Sequence, residues 1–159
     1  MRIVRQLLLT LPLLWAGWAH GADAIAYLLN SDSPPPGVVF EVAEGDDDAL
    51  EWAIPKVRDY VTRLRARHPQ LEMALVTHGK EQFALQTKRR GDNAAIHQGV
   101  QSLLGDQVPV HVCGTHAGWY GVTEEDFPAY VDVAPAGPTQ IHNYEELGWA
   151  VIRVEEPEP

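Results

Sequence analysis

Three short apolar runs separated by two amphipathic segments set the strongest limit on how this chain can fold. The runs cover 38–42, 71–77 and 108–113 and are rich in the residues typical of buried strands. Between them, the spacing of apolar residues predicts helices over about 49–67 and 93–104. Because strands that alternate with helices form βαβ units, the sequence predicts a small single-domain α/β fold with a mostly parallel central sheet flanked by helices.

Shorter elements complete the predicted domain after the third strand. We expect a helical turn, a brief strand, a turn, a short helix and a final strand, in that order, at 124–128, 131–133, 135–138, 142–147 and 149–154. Residues 82–86 fit either a short strand or a helical turn. The α/β domain therefore covers 38–154, and an acidic tail follows at 155–159.

The first 22 residues have the pattern of a secretory signal peptide. A basic start is followed by an apolar run over 7–18 and then by small residues, with cleavage acceptable after Ala19 or near Ala22. The run is short for a membrane span, although an uncleaved anchor is the alternative. We therefore expect a periplasmic or secreted protein with no membrane attachment after cleavage. Residues 23–37 are interpreted as a lead-in segment, since three consecutive prolines within them exclude a central strand.

The overall charge of the chain bears on the classes of molecule that it can bind. The formal net charge is −10, and an acidic surface argues against nucleic acids and anionic membranes. The sequence has no glycine-rich phosphate motif between a strand and a helix, so nucleotide binding has no support and no cofactor is expected.

The chain has one cysteine, Cys113, at the end of the third apolar run. Exported proteins usually pair their cysteines, and a single one cannot form an internal disulfide. It is therefore an inert buried thiol, an intermolecular link, a metal ligand or a reactive thiol.

The position of Cys113 favours a reactive thiol. His78 follows the second strand, and the carboxyl ends of parallel strands lie at one edge of a sheet, where α/β proteins bind ligands. An imidazolium at His78 or His116, with the amides of a predicted turn at 114–115, favours the thiolate over the thiol. The small residues after Cys113 would leave its sulfur approachable. Cys113, His78 and His116 are thus the candidate catalytic residues.

A metal site is the alternative interpretation of the same stretch. His111, Cys113 and His116 are soft and borderline ligands suited to copper or zinc. Residues 111 and 113 share a face of an extended strand. However, the spacing matches no standard zinc site.

Four segments of the chain form an ordered set of motifs. They are Val-Val-Phe-Glu-Val-Ala-Glu-Gly-Asp at 38–46, Leu-Val-Thr-His-Gly at 75–79, Gly-Asp-Gln-Val-Pro-Val-His-Val-Cys-Gly at 105–114, and Val-Ala-Pro-Ala-Gly at 133–137 followed by Leu-Gly-Trp-Ala-Val-Ile at 147–152. In this order they resemble the DsrE/DsrF-like family of sulfur-relay proteins. The resemblance implies a DsrE-like domain with flavodoxin-like layering that assembles as a trimer or hexamer. It also implies that Cys113 carries sulfur as a persulfide and that His78 lies beside it.

We therefore predict an exported sulfur carrier, at most a sulfurtransferase, that takes up sulfane sulfur on Cys113 and passes it to an acceptor. The donor and acceptor would be small molecules or protein thiols. The alternatives are a periplasmic copper- or zinc-binding module and a non-catalytic interaction subunit whose cysteine is buried.

Overall fold

The computed structural model describes residues 21–156 and contains one five-stranded sheet flanked by five helices within that range. The strands are β1 (Gly37–Val42), β2 (Glu72–Thr77), β3 (Val110–Cys113), β4 (Asp132–Ala134) and β5 (Ala150–Arg153). The helices are α1 (Gly21–Asn30), α2 (Leu50–Arg67), α3 (Ala94–Gly105), α4 (Gly114–Trp119) and α5 (Gly137–Glu146). Most of the predicted signal peptide, residues 1–20, and the end of the tail, 157–159, lie outside the described residues.

The sheet confirms the predicted fold class. Its strand order is β4-β3-β2-β1-β5, and every neighbouring pair is parallel. Phe40 on the inner strand β1 pairs with Leu75 on one side and Ile152 on the other. The inner strands are apolar on both sides because helices cover both faces, as is usual in parallel sheets.

One face of the sheet, here called the helix-rich face, packs against α1, α2 and α3. Alternate strand residues point into this layer, and Phe40 and Leu75 are completely buried there. The helices contribute their own apolar residues, among them Ile25, Leu50, Ile54, Leu64, Val100 and Leu103. This layer forms the main hydrophobic core.

The opposite face, here called the single-helix face, is covered mainly by α5. Its small apolar cluster consists of Val39, Ala74, Val76 and Ile141, with Tyr144, Trp149 and Val151 packed around them. The residues that the sequence predicted to be functional lie on this face or at its carboxyl edge. Side chains alternate along a strand, and Val110 and Val112 point into the main core, so His111 and Cys113 point to the single-helix face.

Helix α1 lies in the segment that the sequence analysis interpreted as a lead-in. Ile25 and Leu28 are buried against the core, and the ring Nε2 of His68 hydrogen-bonds the Leu28 carbonyl oxygen at 2.8 Å. Gly21, Ile25 and Leu28 are spaced four and three residues apart, so one face of the helix packs against the core, and the sequence analysis did not use this helical spacing. None of the helices described is long and apolar enough to span a membrane.

Three local predictions need correction or completion. Cys113 leads into the helix α4 and not into a turn, and α5 begins at Gly137 within the segment predicted as a turn, with Pro138 in its first helical turn. The undecided segment is a 3-10 helix, Lys80–Leu85. Pro55 lies inside α2 without ending it.

Candidate functional site

The candidate site lies at the carboxyl edge of the sheet, where β1, β2 and β3 end and α5 begins. Glu41 is on β1, His78 immediately follows β2, and Cys113 is the last residue of β3. The parallel topology brings these three residues to one edge, as expected for a ligand-binding crevice in this type of sheet.

Cys113 is held by hydrogen bonds from both sides. Its sulfur accepts a hydrogen bond from the backbone N–H of His116 at 3.3 Å, which makes Cys113 the N-cap of α4. Its own backbone N–H donates to Oε1 of Gln82 at 2.7 Å. The residue is only 4% exposed, so the expectation of an open sulfur is not met. The backbone N–H of His116 is thus a donor directed at the sulfur.

His78 and Glu41 form a half-buried pair on the single-helix face. The His78 Nε2 and Glu41 Oε1 atoms are 2.8 Å apart. The hydrogen bond from His78 holds the pKa of Glu41 below its ordinary value, and the charges of His78 and Arg153 act in the same direction against the effect of burial. With Nε2 donating to the carboxylate, a neutral His78 ring keeps Nδ1 as a proton acceptor.

Gly137 shows how closely His78 and Cys113 approach each other. A Cβ atom on Gly137 would lie 2.4 Å from the His78 Cβ and 3.3 Å from the Cys113 Cβ. Only glycine fits at the first residue of α5, because any side chain there would displace the imidazole. The helix start therefore closes over the pair.

His116 lies on the other side of the cysteine, among aromatic rings. Its Nδ1 is 2.7 Å from the carbonyl oxygen of His78. Its ring contacts Phe83, Trp119 and Tyr120, with centroid separations of 5.6, 5.4 and 5.4 Å. Trp119 is 77% exposed, so this aromatic group forms the solvent-facing rim of the site.

His111 shares a face with Cys113, as the strand alternation predicts, but it makes different contacts. Its Nε2 lies 2.9 Å from the hydroxyl of Tyr144 on α5, and burial lowers its pKa despite the opposing charge of Asp132. Within residues 21–156, no three His, Cys, Asp or Glu side chains are placed to hold a metal ion together. The structure thus brings together Cys113, His78 and His116, but not His111.

Sequence reasoning missed the polar residues that support the site. Glu41 could have been found as a carboxylate inside an otherwise apolar strand. Glu81 and Gln82 are fully buried on the 3-10 helix that was left undecided. Glu81 accepts hydrogen bonds from the Thr77 hydroxyl and from the backbone N–H groups of Gly79 and Glu44, at 2.9 and 2.8 Å for the latter two. It joins the loops after β1 and β2.

Comparison with known proteins gives structural matches only. No family model and no curated protein sequence matches this chain. The solved structures that are similar to it include the following three. The protein of unknown function MTH1491 from Methanobacterium thermoautotrophicum has a TM-score of 0.59 at 25% identity, covering 74% of this chain and 97% of its own.

The other two structures are more distant in sequence. The conserved protein of unknown function BT1422 from Bacteroides thetaiotaomicron has a TM-score of 0.54 at 10% identity, covering 75% of this chain and 95% of its own. The YchN protein from E. coli has a TM-score of 0.54 at 17% identity, covering 74% of this chain and 98% of its own. Because these proteins are covered almost end to end, the chain shares their small α/β fold.

Proposed function

We propose that this protein is an exported sulfur carrier that holds sulfane sulfur as a persulfide on Cys113. The observation that carries the proposal is the arrangement around the sulfur. An N–H donor points at Sγ from His116, and the Cβ atoms of Cys113 and of His78, whose imidazole is held by Glu41, both lie close to Gly137. The likeness in fold to YchN and the four family-like segments support a DsrE-like relationship.

The proposed transfer is a substitution at sulfur without net oxidation or reduction. The Cys113 thiolate attacks the outer sulfur of a donor persulfide, R–S–S–H. The new bond joins Sγ to that sulfur while the bond to the donor sulfur breaks, and the leaving thiolate takes the proton that Cys113 lost. An acceptor thiolate removes the outer sulfur by the same reaction and restores Cys113.

The side chains around Cys113 have distinct roles in this scheme. The His116 N–H is the donor to Sγ, and His78, whose Cβ lies with that of Cys113 close to Gly137, is the candidate base for the thiol proton. Glu41 touches neither sulfur nor donor, so it is a positioning residue that fixes the ring of His78.

Export and assembly are part of the proposal. Removal of the signal peptide after Ala19 would keep Gly21, which packs so closely that a Cβ there would lie 2.3 Å from the Arg153 carbonyl oxygen. Cleavage after Ala22 would remove this contact. We expect the mature protein to begin at His20, which mass spectrometry measures. We also expect it to form a homo-oligomer, which light scattering measures.

The decisive experiment is intact-mass spectrometry of the exported protein, purified without reductant, before and after exposure to polysulfide. The expected result is a gain of sulfur that a reductant removes and that Cys113→Ser abolishes. His142→Ala, on the exposed side of α5, is the matched control and should load normally. Uptake that persists in Cys113→Ser, or no uptake in the unmodified protein, would contradict the proposal.

The burial of Cys113 favours a second candidate, a non-catalytic interaction subunit with a structural thiol. Alkylation separates the two functions. A carrier reacts with iodoacetamide in the folded state, whereas a structural thiol reacts only after denaturation.

A further inference from the structure

Gln82 presents an unused hydrogen-bond donor beside Cys113. Its side chain is 0% exposed, and its Oε1 accepts the Cys113 backbone N–H at 2.7 Å. That bond fixes which amide atom is oxygen and which is nitrogen. The remaining atom, Nε2, is buried and has no hydrogen-bond partner among residues 21–156, the sulfur of Cys113 included.

A buried donor of this kind lowers the stability of the protein unless a hydrogen-bond acceptor pairs with it. A buried polar group that is left unpaired destabilises the folded protein, and native proteins satisfy nearly all such groups. Oε1 and Nε2 are bonded to one carbon, so the free donor and the Cys113 backbone belong to the same small region. The missing acceptor is therefore expected next to the cysteine.

We propose that Gln82 Nε2 binds the outer sulfur of the persulfide on Cys113. This inference rests on the proposed function and adds the residue that holds the transferred atom. Conversion of the thiol to a persulfide places one further sulfur beyond Sγ, and its deprotonated form carries negative charge. A buried negative charge needs donors, and Gln82 supplies one in addition to the His116 N–H.

Two substitutions of Gln82 separate its two amide atoms. Gln82→Glu keeps an oxygen for the Cys113 N–H but removes the donor, whereas Gln82→Met removes both. Gln86→Met is the matched control, because Gln86 is also buried, has an unpartnered Nε2 and lies four residues further along.

The measured quantity is the lifetime of the one-sulfur adduct after polysulfide exposure, followed by intact-mass spectrometry of the full-length variants. Loss of a hydrogen bond to a charged group should shorten this lifetime by about tenfold or more in both Gln82 variants. The lifetime in Gln86→Met should stay within about twofold of the unmodified protein, because its amide makes no bond to Cys113. Thermal unfolding of each variant reports whether it is folded.

A measurement on the unmutated protein does not depend on variants that fold. In ¹⁵N-resolved NMR, the side-chain amide protons of Gln82 should shift downfield on sulfur loading, while those of Gln86 should not.

Each outcome decides the inference. Equal shortening in Gln82→Met and Gln86→Met, unchanged lifetimes in both Gln82 variants, or an unshifted Gln82 amide would overturn it and leave the carrier function intact. An unmodified protein that takes up no sulfur would overturn both proposals.

Discussion

The two faces of the sheet differ in role, because one carries the main hydrophobic core and the other carries the candidate site. The helix-rich face buries large apolar side chains under three helices, whereas the single-helix face combines a small apolar cluster with Glu41, His78, His111 and Cys113. Consecutive residues of one strand serve the two layers, because side chains alternate along a strand. Phe40 is in the main core, and its neighbour Glu41 belongs to the candidate site.

Charged and ionisable side chains also lie along the single-helix face, from one edge of the sheet to the other. A line of paired residues crosses it from β5 to β4, in the order Arg153, Glu41, Val76, His111 and Asp132. Arg153 and Asp132 are exposed at the two edges, and only the middle of the line is fully buried. Because only one helix covers this face, its polar groups lie near water, where the desolvation penalty of a charged side chain is small.

The largest expected effect comes from the helix-rich face. Phe40→Ala should lower the free energy of unfolding by about 3–5 kcal/mol, because it opens a cavity in the fully buried core. Denaturant unfolding measures this loss. The alkylation rate of Cys113 in the folded fraction should remain close to that of the unmodified protein. A changed rate would show that the two faces are coupled.

Gly137→Ala tests the contact between α5 and the site. The new methyl group would lie 2.4 Å from the His78 Cβ, so the helix start or the imidazole must move. We expect a loss of about 1–3 kcal/mol in unfolding free energy together with a changed alkylation rate at Cys113. Gly118→Ala in α4, where a Cβ meets nothing within 4 Å, is the control and should change neither. Similar behaviour of both variants would contradict the close packing at Gly137.

Glu41→Gln should change reactivity more than stability. A half-buried pair of this kind contributes on the order of 1 kcal/mol, so the unfolding free energy should fall far less than in Phe40→Ala. Cys113 alkylation should slow, because the His78 ring loses the carboxylate that holds it. Conversely, a rate equal to that of the unmodified protein would remove Glu41 from the site.

The same substitution has a defined effect in acid. The folded-state pKa of Glu41 is lowered, so its contribution to stability is present above its unfolded value of about 4.5 and is lost as the pH falls through the folded value. Glu41→Gln should therefore lose less stability than the unmodified protein over that acidic range, as measured by thermal unfolding against pH.

The smallest expected effect concerns His97, a buried imidazole on the helix-rich side. Its Nε2 hydrogen-bonds the Ala84 carbonyl oxygen, and burial lowers its pKa below the ordinary 6.5 despite that bond. Because the unfolded chain binds the proton more readily, this contribution to stability is present above pH 6.5 and is lost as the pH falls through the folded value. His97→Gln should flatten this part of the pH profile, whereas His142→Gln, at an exposed imidazole, should not.

Local sequence patterns predicted much of the fold. The apolar runs and helical spacings around Phe40, Leu75 and Val112 correspond to β1, β2 and β3, and the strand–helix alternation gave the parallel sheet. The same alternation predicted that His78 and Cys113 lie at the same edge of the sheet. These predictions succeeded because they depend on periodicity and chain direction, which are properties of the local sequence.

The supporting residues of the site were decided by tertiary structure. Helix α4 begins at Gly114, directly after Cys113, instead of after a turn. Glu41 reaches His78 across 37 positions of sequence, and Gln82 reaches Cys113 across 31. Periodicity carries no information about such pairs, since each depends on how two separate segments are brought together by packing.

The sequence by itself therefore determined the α/β class, the direction of the strands and the edge at which the single cysteine lies. The tertiary structure alone decided which polar groups surround that cysteine and that its sulfur is covered. The physical reason is that alternation and helical spacing act over a few residues, whereas burial and hydrogen bonding at Cys113 depend on segments that are distant in the chain.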